Sequence, residues 1–200
     1  MWAADPRHTG GLPNPGPGVR IEEAGPRTAA EIAAAMGAEG DMVPARLARG
    51  CRCLAVWAPS GEIAGYGWLS SGPEWIGELG LEIRPAPREA YVWNCVTLPA
   101  HRRRGLFRAL LQTVVEGARR EGLRRLWIGT VDGVGESAVA RAGFTRVLSI
   151  DAFELARLGW LSLRAVPDAD TGVVASALAA LGGDTAPLRP GPRILGRRRH

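Results

Sequence analysis

At 200 residues and 21.2 kDa the chain has the length of one domain, or of one domain with loose ends, and can bury a sizeable core. Apolar residues at 46% and charged residues at 22% are ordinary globular values, and no apolar run approaches the roughly 20 residues of a membrane-spanning helix. With no charged-then-apolar leader either, membrane, secreted and fibrous classes are set aside, and a cytoplasmic protein is expected. Three cysteines (Cys51, Cys53, Cys95) form no disulfide framework and no CxxC pair, and three histidines add little, so no metal is expected. The net charge of +5 resembles a nucleic-acid footprint until it is located. Residues 184–200 carry five Arg against one Asp, residues 102–125 carry eight Arg against two Glu, and the remainder is acidic. No recognition-helix pattern or base-stacking motif accompanies these arginines, so nucleic acid is not the expected partner.

In chain order, residues 1–18 hold four Pro and four Gly with little that is apolar after Trp2, which predicts a disordered N-terminal arm. Val19–Glu23 reads as an opening strand, Arg27–Met36 as an Ala-rich helix, and Ala45–Arg49 as a short second helix. Cys51–Ala58 and Glu62–Ser70, joined by Pro59-Ser60-Gly61, read as a hairpin. Glu78–Arg84 alternates and stops at Pro85, so a strand is expected there. Ala90–Leu98 is a nearly continuous β-prone run, the pattern of a central strand covered on both faces. Leu106, Leu110, Leu111, Val114, Val115 and Ala118 recur at helical spacing, with Gly122 as the stop. Strands over Arg125–Val131, Phe144–Ile150 and Gly159–Val166 and helices over Glu136–Ala142 and Asp170–Leu181 complete an α+β order. One compact unit over 19–181 is expected, followed by a basic flexible tail over 182–200.

The stretch that carries chemistry runs from Val96 to Arg108, VTLPAHRRRGLFR. A strand stops at Pro99, an arginine-rich loop follows, and a strongly amphipathic helix begins. A helix N-terminus offers unpaired N–H groups and the positive end of a dipole, and so favours an anion. Gly105 removes a side chain where a phosphate would approach the backbone, and four arginines within seven residues add charge. There is no GK[ST] and no GxGxxG, so this is neither a P-loop nor a dinucleotide fingerprint. Local physics leaves a second account open, in which Gly105 only permits a turn and the arginines are solvated.

The same residues resemble the acetyl-CoA-binding motif of the GNAT superfamily of N-acetyltransferases, (Q/R)-x-x-G-x-(G/A). Arg102-x-x-Gly105 fits it, and Phe107 departs at the last position. The resemblance implies a mixed, mostly antiparallel central sheet of about seven strands, splayed at the CoA site and flanked by helices, over about 19–166. Gly143-Phe144 would begin the sixth strand. It further implies that main-chain groups of Cys95, Val96 and Thr97 hydrogen-bond the pantetheine of acetyl-CoA or another acyl-CoA. Arg102, Arg103, Arg104, Gly105, Leu106, Phe107 and Arg108 would hold the pyrophosphate, with the Phe107 side chain turned away from it.

Acyl transfer from a thioester to an amine has two proton problems, at the attacking nitrogen and at the departing sulfur. The position four residues before Gly143-Phe144, where many members carry a tyrosine acid, holds Val139. Ser137 on the same short helix is one replacement, with an N-cap or surface serine as the plainer account. Tyr91 shares strand parity with Cys95 and Thr97 and is a second, with a core tyrosine as its plainer account. Glu82 and Glu89 are candidate bases, or exposed edge carboxylates; if neither serves, ordered water must carry the proton. Cys95 lies near the expected thioester, with His101, expected at the outer edge of the loop, as the nearest histidine. A buried small apolar residue is the favoured account of Cys95. Asp132 stands where relatives often carry asparagine. Trp57, Trp68, Trp75 and Trp93 either line an acceptor pocket or pack the core, and Glu74, Glu78, Glu82 and Glu89 are placed to attract an amine. The resulting expectation is direct transfer of an acetyl or related acyl group to a primary amine of a small molecule or peptide. The alternative is a non-catalytic acyl-CoA-binding regulatory module. A homodimer is expected by analogy alone.

Overall fold

The computed structural model describes residues 1–8, 14–131, 133, 135–155, 158–182 and 193–194. In chain order the elements are β1 (Trp2–Ala4), β2 (Arg20–Glu23), α1 (Ala29–Met36), a 3-10 turn (Gly37–Met42), α2 (Val43–Ala48), β3 (Arg52–Trp57) and β4 (Ile63–Ser70). There follow β5 (Glu74–Ile76), β6 (Leu81–Ile83), β7 (Glu89–Thr97), a 3-10 turn (Pro99–His101), α3 (Leu106–Arg120) and β8 (Arg125–Ile128). The rest are α4 (Glu136–Arg141), β9 (Thr145–Arg146), β10 (Leu148–Leu155), β11 (Leu158–Ala165), α5 (Thr171–Ala180) and β12 (Arg193–Ile194).

Seven strands form the central sheet in the order β2-β3-β4-β7-β8-β1-β9, antiparallel throughout except for the parallel pair β7–β8. That parallel pair needs a crossover, which α3 supplies. The helix forms because Leu106, Ala109, Leu110, Leu111, Val114, Val115 and Ala118 all fall on one buried stripe. Each buried Leu or Val of that stripe contributes roughly 2 kcal/mol. The stripe lies on β3, β4 and β7, and α4 packs beside it. On the opposite face α1 and α2 cover the β3–β4 side, where Ile32, Met36 and Val43 meet Tyr66 and Trp68. Helix α5 covers the β8–β1 side, where Ala177 and Leu178 meet Trp127 and Tyr91.

Three expectations change. The arm over 1–18 is not disordered at its start: Trp2–Ala4 is inserted between β8 and β9, each residue is buried, and Trp2 Nε1 donates to Thr130 Oγ1 at 3.0 Å. The strand expected over Phe144–Ile150 is two strands, since β9 edges the central sheet whereas β10 pairs with β11 in a second sheet of order β10-β11-β12. The strand expected over Glu78–Arg84 shrinks to β6, which among the described residues pairs only with β5, as a separate two-stranded ribbon. Of the tail, Gly182 and β12 are described, and the rest lies outside the described residues, as does Asp132.

Candidate active site

The pairing of β7 decides the geometry. Toward β8 it runs from Glu89–Arg125 to Val92–Ile128 and stops. Toward β4 it continues to Gly65–Thr97. Residues 93–97 therefore keep one neighbour and lose the other, and their exposure rises from buried to intermediate at that point. The sheet forks there. Beyond the fork, the Pro99–His101 turn leads into a loop with two positive-φ residues, Arg103 at 62° and Gly105 at 77°. Gly105 is the N-cap of α3 with no side-chain cap, and the first amide of the helix to be bonded is that of Ala109, to Gly105 O at 3.0 Å. Among the described residues, the amides from Arg103 to Arg108 meet no protein acceptor. Successive bare amides in such a turn form a concavity suited to an anion. A Cβ built on Gly105 meets nothing within 4 Å, so the space beside it is open.

The loop side chains are exposed apart from Leu106 in the core and Phe107, which is half-buried. The Phe107 ring lies against Gly135, whose own Cβ would sit 3.4 Å from it, and so faces α4 rather than the bare amides. Arg102 is turned back, its Nε donating to Thr97 O at 3.2 Å. His101 is not at the outer edge: it is buried, with Nε2 3.2 Å from Glu62 Oε1.

The candidates for proton handling separate. Glu89 lies at the far end of β7, about 20 Å along the strand from Cys95, and is 1% exposed. Its carboxylate accepts from Trp127 Nε1 at 2.8 Å and pairs with Arg124 and Arg125 at 3.1 Å, so it is a structural ion pair away from the fork. Glu82 points outward from β6, between buried Leu81 and Ile83, and pairs with Arg84 at 2.8 Å. Ser137 is exposed on α4 and accepts from Arg141 at 3.0 Å, while Val139 is fully buried on the opposite side of that helix. Tyr91 alone reaches the fork: its hydroxyl lies 3.5 Å from a Cβ built on Gly129, one residue beyond the last β8 pair. Among the described residues that hydroxyl has no hydrogen-bond partner. Burial, and then the negative charge of Glu78, pushes the phenol up and keeps it protonated. Burial likewise pushes the Cys95 thiol up to about 12, and its sulfur sits where a methyl on Gly67 would be 2.8 Å away, so it packs as a neutral thiol.

Residues 27–144 match the family model described as Acetyltransferase (GNAT) family. The chain belongs to this family. Its solved structural neighbours include a Trypanosoma brucei acetyltransferase (16% identity, TM-score 0.51), over 68% of this chain and 99% of that one. A ribosomal-protein-alanine N-acetyltransferase from Brucella melitensis biovar Abortus is 19% identical with a TM-score of 0.50, over 68% and 99%. AAC(6')-Iy, in complex with the bisubstrate analog CoA-S-monomethyl-acetylneamine, is 15% identical with a TM-score of 0.51, over 68% and 97%. No curated protein matches the sequence. The GNAT family uses acetyl-CoA, and this GNAT chain fits that group on its own geometry. Bare amides and open space at Gly105 suit a diphosphate, and the unpaired edge of β7 suits amides that add to a strand. Among the described residues no cluster of metal-ligating side chains gathers, and no helix is long and apolar enough to cross a membrane.

Two features of this GNAT site escape the sequence. The first is a bulge in β7: between the pairs Tyr66–Val96 and Trp68–Trp93, two residues of β7 (Asn94 and Cys95) oppose one of β4 (Gly67), with Asn94 at φ 43°. The bulge reverses strand parity, so Tyr91 and Cys95 face opposite sides of the sheet, contrary to their expected alignment. The only hint in the run Tyr-Val-Trp-Asn-Cys-Val-Thr is Asn94, the residue there that best tolerates a positive φ. The second is a packed aromatic group: Trp68 and Trp93 lie 5.9 Å apart, and the Arg46 guanidinium covers them at 5.2 and 4.7 Å. These two tryptophans pack, and the cation position over them is filled by the protein's own arginine. Trp57 is half-buried under Arg20, and Trp75 is 61% exposed on β5.

Proposed function

We propose that this protein is a cytoplasmic N-acetyltransferase that moves an acetyl or related acyl group from acyl-CoA directly to a primary amine of a small molecule or peptide. The observation that carries this is the row of bare amides from Arg103 to Arg108 at the α3 N-terminus, beside the fork of β7 and β8. Those amides, with the exposed Arg103, Arg104 and Arg108 nearby, hold the diphosphate. The open edge at Cys95, Val96 and Thr97 hydrogen-bonds the pantetheine as an added strand. When bound, the acyl-CoA supplies an activated acyl group next to the β7 bulge.

The chain's own groups then handle protons. The Tyr91 phenol, neutral and unpartnered at the fork, donates to the departing sulfur. The Cys95 thiol, held protonated, does not compete as a nucleophile, which supports direct attack by the amine. Glu82 and Glu89 are engaged by arginines, so water carries the proton of the attacking amine. An amine acceptor is in keeping with two of the neighbours, a ribosomal-protein-alanine N-acetyltransferase and AAC(6')-Iy bound to the bisubstrate analog CoA-S-monomethyl-acetylneamine.

Buried Val139, in the place of the usual tyrosine acid, favours a second reading: an acyl-CoA-binding module without turnover. Incubation with acetyl-CoA and a panel of primary amines, followed by thiol titration, separates the two. Amine-dependent release of free CoA thiol supports the enzyme. Tight CoA binding with no thiol release across the panel supports the module.

A further inference from the structure

On the sheet face opposite α3, one carboxylate oxygen ties two residues of the β7 bulge. Glu39 lies in the 3-10 turn between α1 and α2, distant in sequence from the CoA loop. Its Oε2 accepts from Asn94 Nδ2 at 2.9 Å and from Arg46 Nη2 at 2.8 Å. Asn94 is the positive-φ residue of the bulge. The Arg46 guanidinium, in turn, lies 4.7 Å from the ring centre of Trp93, the residue just before it. One carboxylate oxygen therefore restrains Asn94 directly, through its side-chain amide, and Trp93 indirectly, through Arg46. Arg46 is buried, so Glu39 also supplies the charge that offsets it.

A second tether reaches Trp93 independently of Glu39. Trp93 Nε1 donates to Ser70 Oγ at 2.9 Å, and Ser70 Oγ donates to the buried Glu74 Oε2 at 3.1 Å. A non-glycine residue at positive φ persists only where its surroundings fix it, and the surroundings of Asn94 are this pair of tethers. The residue after it, Cys95, opens the unpaired edge that receives the pantetheine in the function proposed above.

We infer that Glu39 is a positioning residue for acyl transfer: through Asn94 and Arg46 it fixes the β7 bulge, and thereby the direction of the Cys95–Thr97 edge, from the turn between α1 and α2. The inference rests on the acyl-CoA reading of the fork. A competing assignment would have the carboxylate, 60% exposed, bind the acceptor amine itself.

The test uses the full chain and four variants: Glu39→Ala, Glu39→Gln, Asn94→Asp and the double Glu39→Gln/Asn94→Asp. Three quantities are measured: the CoA dissociation constant by calorimetry, kcat and KM for acetyl-CoA and the amine, and amide exchange of the peptide spanning residues 92–98. Glu39→Ala should weaken CoA about tenfold and lower kcat, leave the amine KM within about twofold, and speed exchange over 92–98 but not over α3. Glu39→Gln keeps an acceptor for Asn94 and should lose no more than about threefold. Asn94→Asp sets two carboxylates together and should match Glu39→Ala, while the double variant restores a donor–acceptor pair and recovers CoA binding. If the alanine variant proves insoluble, the near-isosteric exchange pair carries the same comparison. A rise in amine KM with unchanged CoA affinity and exchange would overturn the inference, as would a double variant no better than Asn94→Asp. Failure of the unmutated protein to bind CoA would overturn the functional reading itself, an outcome distinct from variants that merely behave like it.

Discussion

The hydroxyl of Tyr91 is the one proton donor among the sequence candidates that stands where the sheet opens. It is kept neutral chiefly by burial, which suits it to donate to a thiolate and not to act as a base. Tyr91→Phe removes one oxygen and keeps the ring in the cluster with Ile83 and Trp127. It should lower kcat about a hundredfold while CoA affinity stays within twofold; stopped-time thiol release and calorimetry read the two. An unchanged kcat would remove Tyr91 from the chemistry. Glu89 and Glu82 show why residue roles were harder to read than residue types. The sequence presents Glu89 as an edge carboxylate of a central strand, and nothing local reveals that Arg124, Arg125 and Trp127 of β8 converge on it. Strand parity pointed from Tyr91 to Cys95 only because the extra residue at Asn94 leaves no mark on periodicity. The Arg102–Arg108 loop was legible because its requirements are backbone ones: a proline stop, a glycine at positive φ and the start of an amphipathic helix all write themselves into residue identity.

Among elements, those that bury a long stripe were readable. Helix α3 and strands β3, β4 and β7 follow from spacing alone, since each commits many apolar residues to one face or one core. Strand β1 was not, because three residues ahead of a Pro- and Gly-rich stretch carry no period, and only the gap between β8 and β9 makes them a strand. The break between β9 and β10 is equally silent, as the single residue between them, Val147, is buried and β-branched like a strand residue. Strand β4 carries a tighter constraint than its composition suggests. A Cβ on Gly65 would lie 2.6 Å from Val96 O and 3.3 Å from Thr97 Cα, both backbone atoms of β7. Gly65→Ala must therefore push β4 and β7 apart, at a cost of about 2 kcal/mol. Thermal unfolding should shift down by several degrees, and CoA binding should weaken with it. A variant with unaltered melting and affinity would show that the two strands are not packed this closely.

At the scale of the molecule, stability on the alkaline side reports how dry the sheet interior is. Burial pushes the thiols of Cys53 and Cys95 from 9.0 up to about 12. In the unfolded chain these protons leave near pH 9, whereas the folded protein keeps them to about pH 12, so the unfolded state binds fewer protons in between. Their contribution is fully present below pH 9 and is lost as pH rises toward 12. Denaturant midpoints should fall over that window, and the fall should flatten in Cys53→Ala/Cys95→Ala. An equally steep fall in the double variant would place these thiols in contact with water.

The same interior ends at the fork, beside the bare amides to which the proposed function assigns a diphosphate. Calorimetric titration of CoA into the unmutated chain, Gly105→Ala and Gly105→Asp tests this most directly. A methyl at Gly105 meets no protein atom within 4 Å, so any loss beyond the strain of φ 77° comes from the ligand side. The unmutated protein should bind CoA, Gly105→Ala should bind it more weakly, and Gly105→Asp, which sets a carboxylate beside the diphosphate, should lose at least about tenfold more. Equal affinity in all three, or no binding by the unmutated chain, would contradict the account.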